Sequence, residues 1–237
     1  MSNEATFTRI LRLLGAAIIT FALAVQAWAD LTYGTFTWGQ LPGYFTPLAN
    51  LAGIVALVAA AVVGGREPRW VALLRVNAAT YLVIVGAVYW AMLASYAQPL
   101  FPWANAILHG GAGVMLAADW LLVRPRVRLP LSSLWSVLSL PAVWVSYLMV
   151  RAFLDGWVPY PFLDPARGVL AITATLAAIS AAGLAVAAVL HGTARMRPFP
   201  APLRAVRAAT PASSPRGGAT PVAAVTAQTA TGSSRGR

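Results

Sequence analysis

Cysteine is absent from the 237 residues, which excludes disulfide frameworks, thiolate catalysis and cysteine-based metal sites. Lysine is absent too: all seventeen basic residues are arginine, a usage that speaks for a GC-rich genome more than for a designed surface. Acidic residues number six and histidines two. Charged residues make up 10% of the chain and hydrophobic residues 59%, with a mean hydropathy of +0.71. A soluble domain has no means of hiding that much apolar surface, so the solvent these residues imply is the bilayer. The net charge of +11 suggests nucleic acid only until the arginines are located. They fall in loops between apolar segments, as a membrane protein requires.

Six apolar segments approach the ~20 residues that a bilayer-crossing helix needs. They lie near residues 10 to 29, 43 to 64, 72 to 96, 103 to 123, 133 to 154 and 168 to 191. Gly-x-x-x-small spacings such as Gly86 to Trp90 or Gly110 to Val114 do not recur as a clear dimerisation stripe. With both termini cytoplasmic, fifteen of the seventeen arginines lie inside, and only Arg151 and Arg167 lie outside. Residues 9 to 29 also carry a rival reading, because Ala27-Trp28-Ala29 resembles a signal-peptidase site; cleavage after Ala29 would leave five spans. Beyond His191 the composition turns to Ala, Pro, Thr, Ser, Gly and Arg without hydrophobic period, which predicts a disordered cytoplasmic tail over residues 193 to 237. Its arginines suit anionic headgroups better than nucleic acid, since no aromatic or structured basic motif accompanies them. No internal repeat relates the first three spans to the last three.

Ionisable side chains within spans are costly, so each is a functional candidate. His109, Asp119 and Arg151 are the charged or titratable ones noted, with polar Thr46, Asn50, Asn77, Asn105, Tyr89 and Tyr147 beside them. In the orientation above, Thr46 lies ~5 Å and His109 ~9 Å below the outer ends of their helices, at a shared depth. Asn50 stands one turn from Thr46 and Asn105 one turn from His109, so each helix presents a short polar strip. Facing strips would bring a hydroxyl to an imidazole, and a threonine hydroxyl becomes a nucleophile only when an adjacent base takes its proton. Asn50 or Asn105 is then a candidate for holding the oxyanion.

Plainer roles compete with these. Thr46 followed by Pro47 also reads as a helix N-cap with proline in the first turn, and local sequence favours that role. His109 also suits a buried polar residue satisfied by a carbonyl or by Asn105. Asp119, close to "RPRVR", is expected near the inner interface, paired with a loop arginine; a proton or cation site is the sharper alternative. The two histidines lie on different sides of the membrane and cannot share a metal ion. The outer stretch "RAFLDGWVPYPFLDPARG", residues 151 to 168, is stiffened by three prolines and rich in rings. It reads either as an interfacial belt or as a lid in which Tyr160 lies near a pocket and Arg151 or Asp164 orients a polar group of the substrate. Tyr147 and Arg151, one turn apart, face the same way.

The combination of "YFTPLAN" at a span start, "ILHGGAGVMLAADWLL" two spans later and "PAVWVSYLMV" with "GWVPYPFLDP" around the fifth span resembles a known family. It is similar to the six-span androgen-induced and androgen-dependent TFPI-regulating proteins, and closer still to their bacterial relatives, the Pr-six-Pr membrane proteins. The resemblance covers residues 10 to 191. It implies a threonine hydrolase that cleaves fatty acid esters of hydroxy fatty acids, with the nucleophile at Thr46, Asn50 completing its motif and the histidine at His109. Asp119-Trp120 and Tyr160-Pro161-Phe162 match motif positions without an assigned role. Pro47 and the glycines Gly110, Gly111 and Gly113 depart from the family pattern and bear on the Thr46 to His109 distance.

These readings together predict an all-α polytopic membrane protein of six transmembrane helices in a plasma membrane, a bacterial inner membrane by the resemblance. The leading expectation is an intramembrane lipid-ester hydrolase. Thr46 and His109 are its catalytic residues, and Asn50, Asn105, Tyr147, Arg151, Tyr160 and Asp164 contact the substrate. It is expected to work on a membrane lipid or lipid-like ester, with no cofactor, metal or nucleic acid. The alternatives are a small transporter or channel with Asp119 and Arg151 on a polar path, and a non-catalytic scaffold.

Overall fold

In lipid every backbone N–H and C=O must find its partner within its own segment, so uninterrupted runs of Ala, Leu, Val and Gly become helices. A computed structural model describes residues 3–34, 37–64, 67–123 and 127–195, and every regular element among them is helical. They are α1 (Asn3–Thr32), α2 (Phe45–Val63), α3 (Arg69–Val88), α4 (Pro102–Ala106), α5 (Ala112–Leu122), α6 (Ser139–Asp155) and α7 (Val169–Thr193). Wider π turns extend α3 over Tyr89–Leu93 and join α4 to α5 over Ile107–Gly111, and a 3-10 stretch, Leu131–Leu138, leads into α6.

Five of these helical stretches are long and apolar enough to cross a membrane, which makes the chain a polytopic membrane protein. The expected fourth span is the rod of residues 102–122, broken into α4, the π turn and α5. Each expected segment falls within a few residues of a helix, although α1 begins at Asn3, well before the expected residue 10. The expected tail lies outside the described residues from 196 onward.

The bundle is built around α3, which packs against α2, α5 and α7, while α1 packs on α2. In its most apolar stretch α3 has 56% of residues buried and α7 only 6%, so α7 packs by one side and turns the other, still apolar, outward, as a lipid-facing helix does. Exposed Trp28, Trp90 and Trp103 at one end and Trp70 and Trp135 at the other mark the two interfaces.

The structure supplies a packing stripe within the bundle. Ala49, Gly53, Ala56 and Ala60 form the buried face of α2, and a Cβ at Gly53 would meet Leu82 at 2.8 Å. Small residues let backbones approach, which is how helices associate where lipid removes the hydrophobic drive. The pattern escapes a search for glycine pairs because alanine supplies most of it.

Candidate active site

α2 begins at Phe45, and the residue before it, Tyr44, makes no side-chain cap. Thr46 is therefore the second residue of the helix and not its N-cap, which corrects the reading that local sequence favours. Its position explains its availability. Thr20, Thr80 and Thr175, deeper in their helices, each donate to the carbonyl four residues earlier. Four residues before Thr46 the chain is not yet in this helix, so its hydroxyl has no such carbonyl to serve. Pro47 fits the same first turn, where a missing N–H costs nothing.

The Thr46 hydroxyl instead lies 3.2 Å from His109 Nε2. His109 Nδ1 is 3.1 Å from the Asn105 carbonyl, which can only accept. Nδ1 therefore carries the ring proton, and Nε2 turns a lone pair toward the hydroxyl. That is the tautomer a general base requires.

His109 sits in the π turn Ile107–Gly111, where an extra residue per turn rotates the helix locally, a feature often found at functional sites. Gly110 and Gly111, which depart from the resembled family, fall in this turn. A second π turn packs beside it: Trp90 donates its indole N–H to the His109 carbonyl at 3.0 Å, and the Tyr89 ring stacks on the imidazole at 3.9 Å. The two segments approach this closely because position 86 is glycine; a Cβ there would lie 2.9 Å from the His109 carbonyl oxygen. Gly113 does the same one turn below, against the Leu82 carbonyl, also at 2.9 Å.

Asn50, fully buried, donates to the carbonyls of Thr46 at 2.9 Å and Leu108 at 3.1 Å. It ties the nucleophile's helix to the turn that carries the base. Both its amide protons are thereby engaged, and Asn105 gives one of its own to the Tyr89 phenol at 2.8 Å. Asn50 is thus not available to an oxyanion, and neither asparagine lines the cavity next to Thr46. Two tyrosines do. Tyr89 and Tyr160 each accept a bond from an N–H, of Asn105 and of the Phe45 backbone at 2.9 Å, and each keeps its own phenolic proton. Burial pushes the Tyr160 phenol above its ordinary range, so it remains a proton donor.

Thr46, His109, Tyr89 and Tyr160 line one side of a cavity of about 110 Å³ whose other walls include Val85, Trp144, Leu176 and Ile179. By the ~10–15 Å³ that one water-sized group needs, this space takes roughly eight methylene-sized groups. The outer loop forms part of the wall through Tyr160 and Phe162, which stack at 5.1 Å, while Trp157 packs edge-on against Tyr44 at 5.8 Å.

Three expected substrate contacts lie elsewhere. Tyr147 and Arg151 do share a face, at 3.0 Å, but both donate to the Gly39 carbonyl, and Arg151 pairs with Asp155. Asp164 accepts from the Ala166 N–H at 2.8 Å, holding a local turn. These side chains fasten the outer loops, and none reaches the cavity.

Asp119 is also corrected. Among the described residues, outside which Arg124 and Arg126 of "RPRVR" lie, its partners are Arg12 of α1 at 2.7 Å and Arg75 of α3 at 2.5 Å, with Arg75 also gripping Glu67 at 2.8 Å. Both arginines are buried inside helices, where sequence reasoning counted them as flanking charges. A carboxylate so paired is a structural lock, with Trp120 stacked under Arg75 at 5.4 Å. A second hydroxyl and imidazole, Ser133 and His191, also meet at 3.2 Å. There the hydroxyl is already donated to the Pro130 carbonyl at 2.6 Å and His191 is 1% exposed, so the imidazole itself is closed to a substrate.

Comparison of the chain with protein-family models, curated proteins and solved structures found no match.

Proposed function

We propose that the chain is an intramembrane hydrolase of lipid esters, of the kind the resemblance implies, with Thr46 as nucleophile and His109 as base. The observation that carries this reading is the Thr46 hydroxyl held 3.2 Å from His109 Nε2, whose other ring nitrogen faces a carbonyl, at the wall of an apolar cavity. Thr46 Oγ1 attacks the ester carbonyl carbon as its proton passes to His109 Nε2. The oxyanion receives hydrogen bonds from the phenols of Tyr89 and Tyr160, whose donor capacity is free. Collapse expels the alcohol, which takes the proton back from His109, and a water activated by the same nitrogen releases the fatty acid. The acyl chain lies along Val85, Leu176 and Ile179, which explains why a hydrolytic site would sit inside a bundle.

In this reading the rod of residues 102–122 is a sixth span, and both termini lie on the cytoplasmic side of a plasma membrane, the inner membrane in a bacterium. Supporting it, Arg9, Arg12, Arg69, Arg75, Arg128 and Arg195 gather at one end of the helices and Arg151 and Arg167 at the other. A transporter or channel loses its two markers, because Asp119 and Arg151 are both consumed in ion pairs.

Membranes carrying matched amounts of wild type, Thr46→Ala and His109→Ala test the proposal with a fluorophosphonate probe and a fatty-acyl ester. Probe labelling joins Thr46 Oγ1 to phosphorus, releases fluoride and passes the hydroxyl proton to His109. Loss of labelling and hydrolysis in both variants supports the mechanism; variants that retain wild-type hydrolysis overturn it and leave the scaffold reading.

A further inference from the structure

At the arginine-rich end, three exposed arginines from separate segments line one open cavity of about 510 Å³: Arg69 at the start of α3, Arg128 in the chain before Pro130, and Arg195 just beyond α7. Its floor is Leu129 and Pro130. Among the described residues none of the three arginines forms an ion pair, and the nearby carboxylates of Glu67 and Asp119 are held by Arg75 and Arg12. Three like charges around one cavity repel one another and call for an anion from outside the chain.

The segments that carry them are tied to one another by hydrogen bonds. Ser133 bonds both the Pro130 carbonyl at 2.6 Å and His191 at 3.2 Å, which fastens the Arg128 segment to the end of α7 one turn before Arg195. Trp120 clamps the Leu190 carbonyl at 2.9 Å from the other side, and it lies under Arg75, six residues along α3 from Arg69. Arginine forks match the paired oxygens of phosphate, and basic cavities between helix ends on this side of a membrane suit phosphorylated headgroups.

We propose that this cavity binds a phosphate group through Arg69, Arg128 and Arg195, presented either by an anionic phospholipid headgroup or by a soluble phosphate. The site is separate from Thr46 and His109, at the opposite end of the bundle, and stands whether or not the chain is a hydrolase.

The test uses the full-length protein, delipidated in neutral detergent, and reads bound lipid by native mass spectrometry with phosphatidylglycerol or phosphatidylcholine added. Phosphatidylglycerol is expected to bind at least tenfold more tightly. Arg128→Gln should weaken it about tenfold, as loss of a charge-assisted fork implies, whereas Arg9→Gln, which removes an equal charge from an exposed site on α1, should change it less than about twofold. Arg128→Lys, which keeps charge but not the fork, should fall between. Inorganic phosphate that displaces the lipid assigns the site to soluble phosphates, and failure to displace assigns it to the headgroup. Equal binding of the two lipids, or equal losses in Arg9→Gln and Arg128→Gln, would overturn the proposal.

Discussion

Replacing Gly86 by alanine probes the contact on which the site geometry depends. The new Cβ would stand 2.9 Å from the His109 carbonyl oxygen, short by about 0.5 Å of the 3.4 Å at which ordinary contact begins. The obstacle is backbone, so it cannot swing away like a side chain. Because Trp90 holds the same carbonyl and Tyr89 stacks on the ring, the π turn carrying the imidazole must move as a unit. A 1 Å misplacement costs about 10²-fold in rate, so ~0.5 Å predicts a loss of about tenfold, with overpacking costing ~1–3 kcal/mol of stability. The assay is the fluorophosphonate labelling rate at matched protein level, read beside the melting temperature. Gly192→Ala is the control, since a Cβ there meets nothing within 4 Å. Labelling of Gly86→Ala at the wild-type rate would show that the close approach does not set the hydroxyl to imidazole geometry.

Two further substitutions separate lock from site. Asp119→Ala leaves Arg12 and Arg75 buried without their carboxylate and should cost ~3–5 kcal/mol, seen as a lowered melting temperature or lost expression; a stability within 1 kcal/mol of wild type would contradict the lock. Tyr160→Phe removes one proposed oxyanion donor and should lower kcat about 10²–10³-fold with little change in KM, whereas a purely structural phenol would lower the melting temperature and leave kcat unchanged.

Hydropathy made the helices legible because lipid imposes one simple requirement on twenty consecutive residues. The Thr46 and His109 contact was legible from equal depth, since helices crossing one slab place residues at depths that counting supplies. The N-cap reading failed because capping depends on which residue is first helical, a boundary that hydropathy blurs. The π turns had no signal beyond Gly110 and Gly111, and the Tyr89 and Tyr160 contacts depend on them and on a loop. Arg12 and Arg75 were read as inner-side flanking charges, which their positions satisfy, but a count of charges does not show that the helix bodies bury them. Tyr147, Arg151 and Asp164 share the outer end with the cavity, and nearness along the chain could not reveal that Gly39 and Ala166 claim them first.

The two ends of the bundle contain similar chemistry and differ in whether its open groups face a cavity. At the arginine-rich end Asp119 is held by two guanidinium groups, His191 has partners at both nitrogens, and the Ser133 hydroxyl has a carbonyl at 2.6 Å. Such groups are closed, and their removal is a matter of stability. At the other end the Thr46 hydroxyl has a histidine lone pair as its described partner, and two phenols are held by incoming N–H groups with their own protons uncommitted. All three line the same apolar cavity. Hydrogen-bonding capacity left open in a low-dielectric interior costs stability, of order 1–3 kcal/mol per group; the arginine-rich end bears such a cost too, at the buried Arg12 Nη2, and what sets the Thr46 end apart is that these open groups line one cavity. A base beside a hydroxyl and two donors without acceptors among the described residues is an arrangement that an ester carbonyl completes: the carbon receives the hydroxyl oxygen and the oxygen receives the phenols.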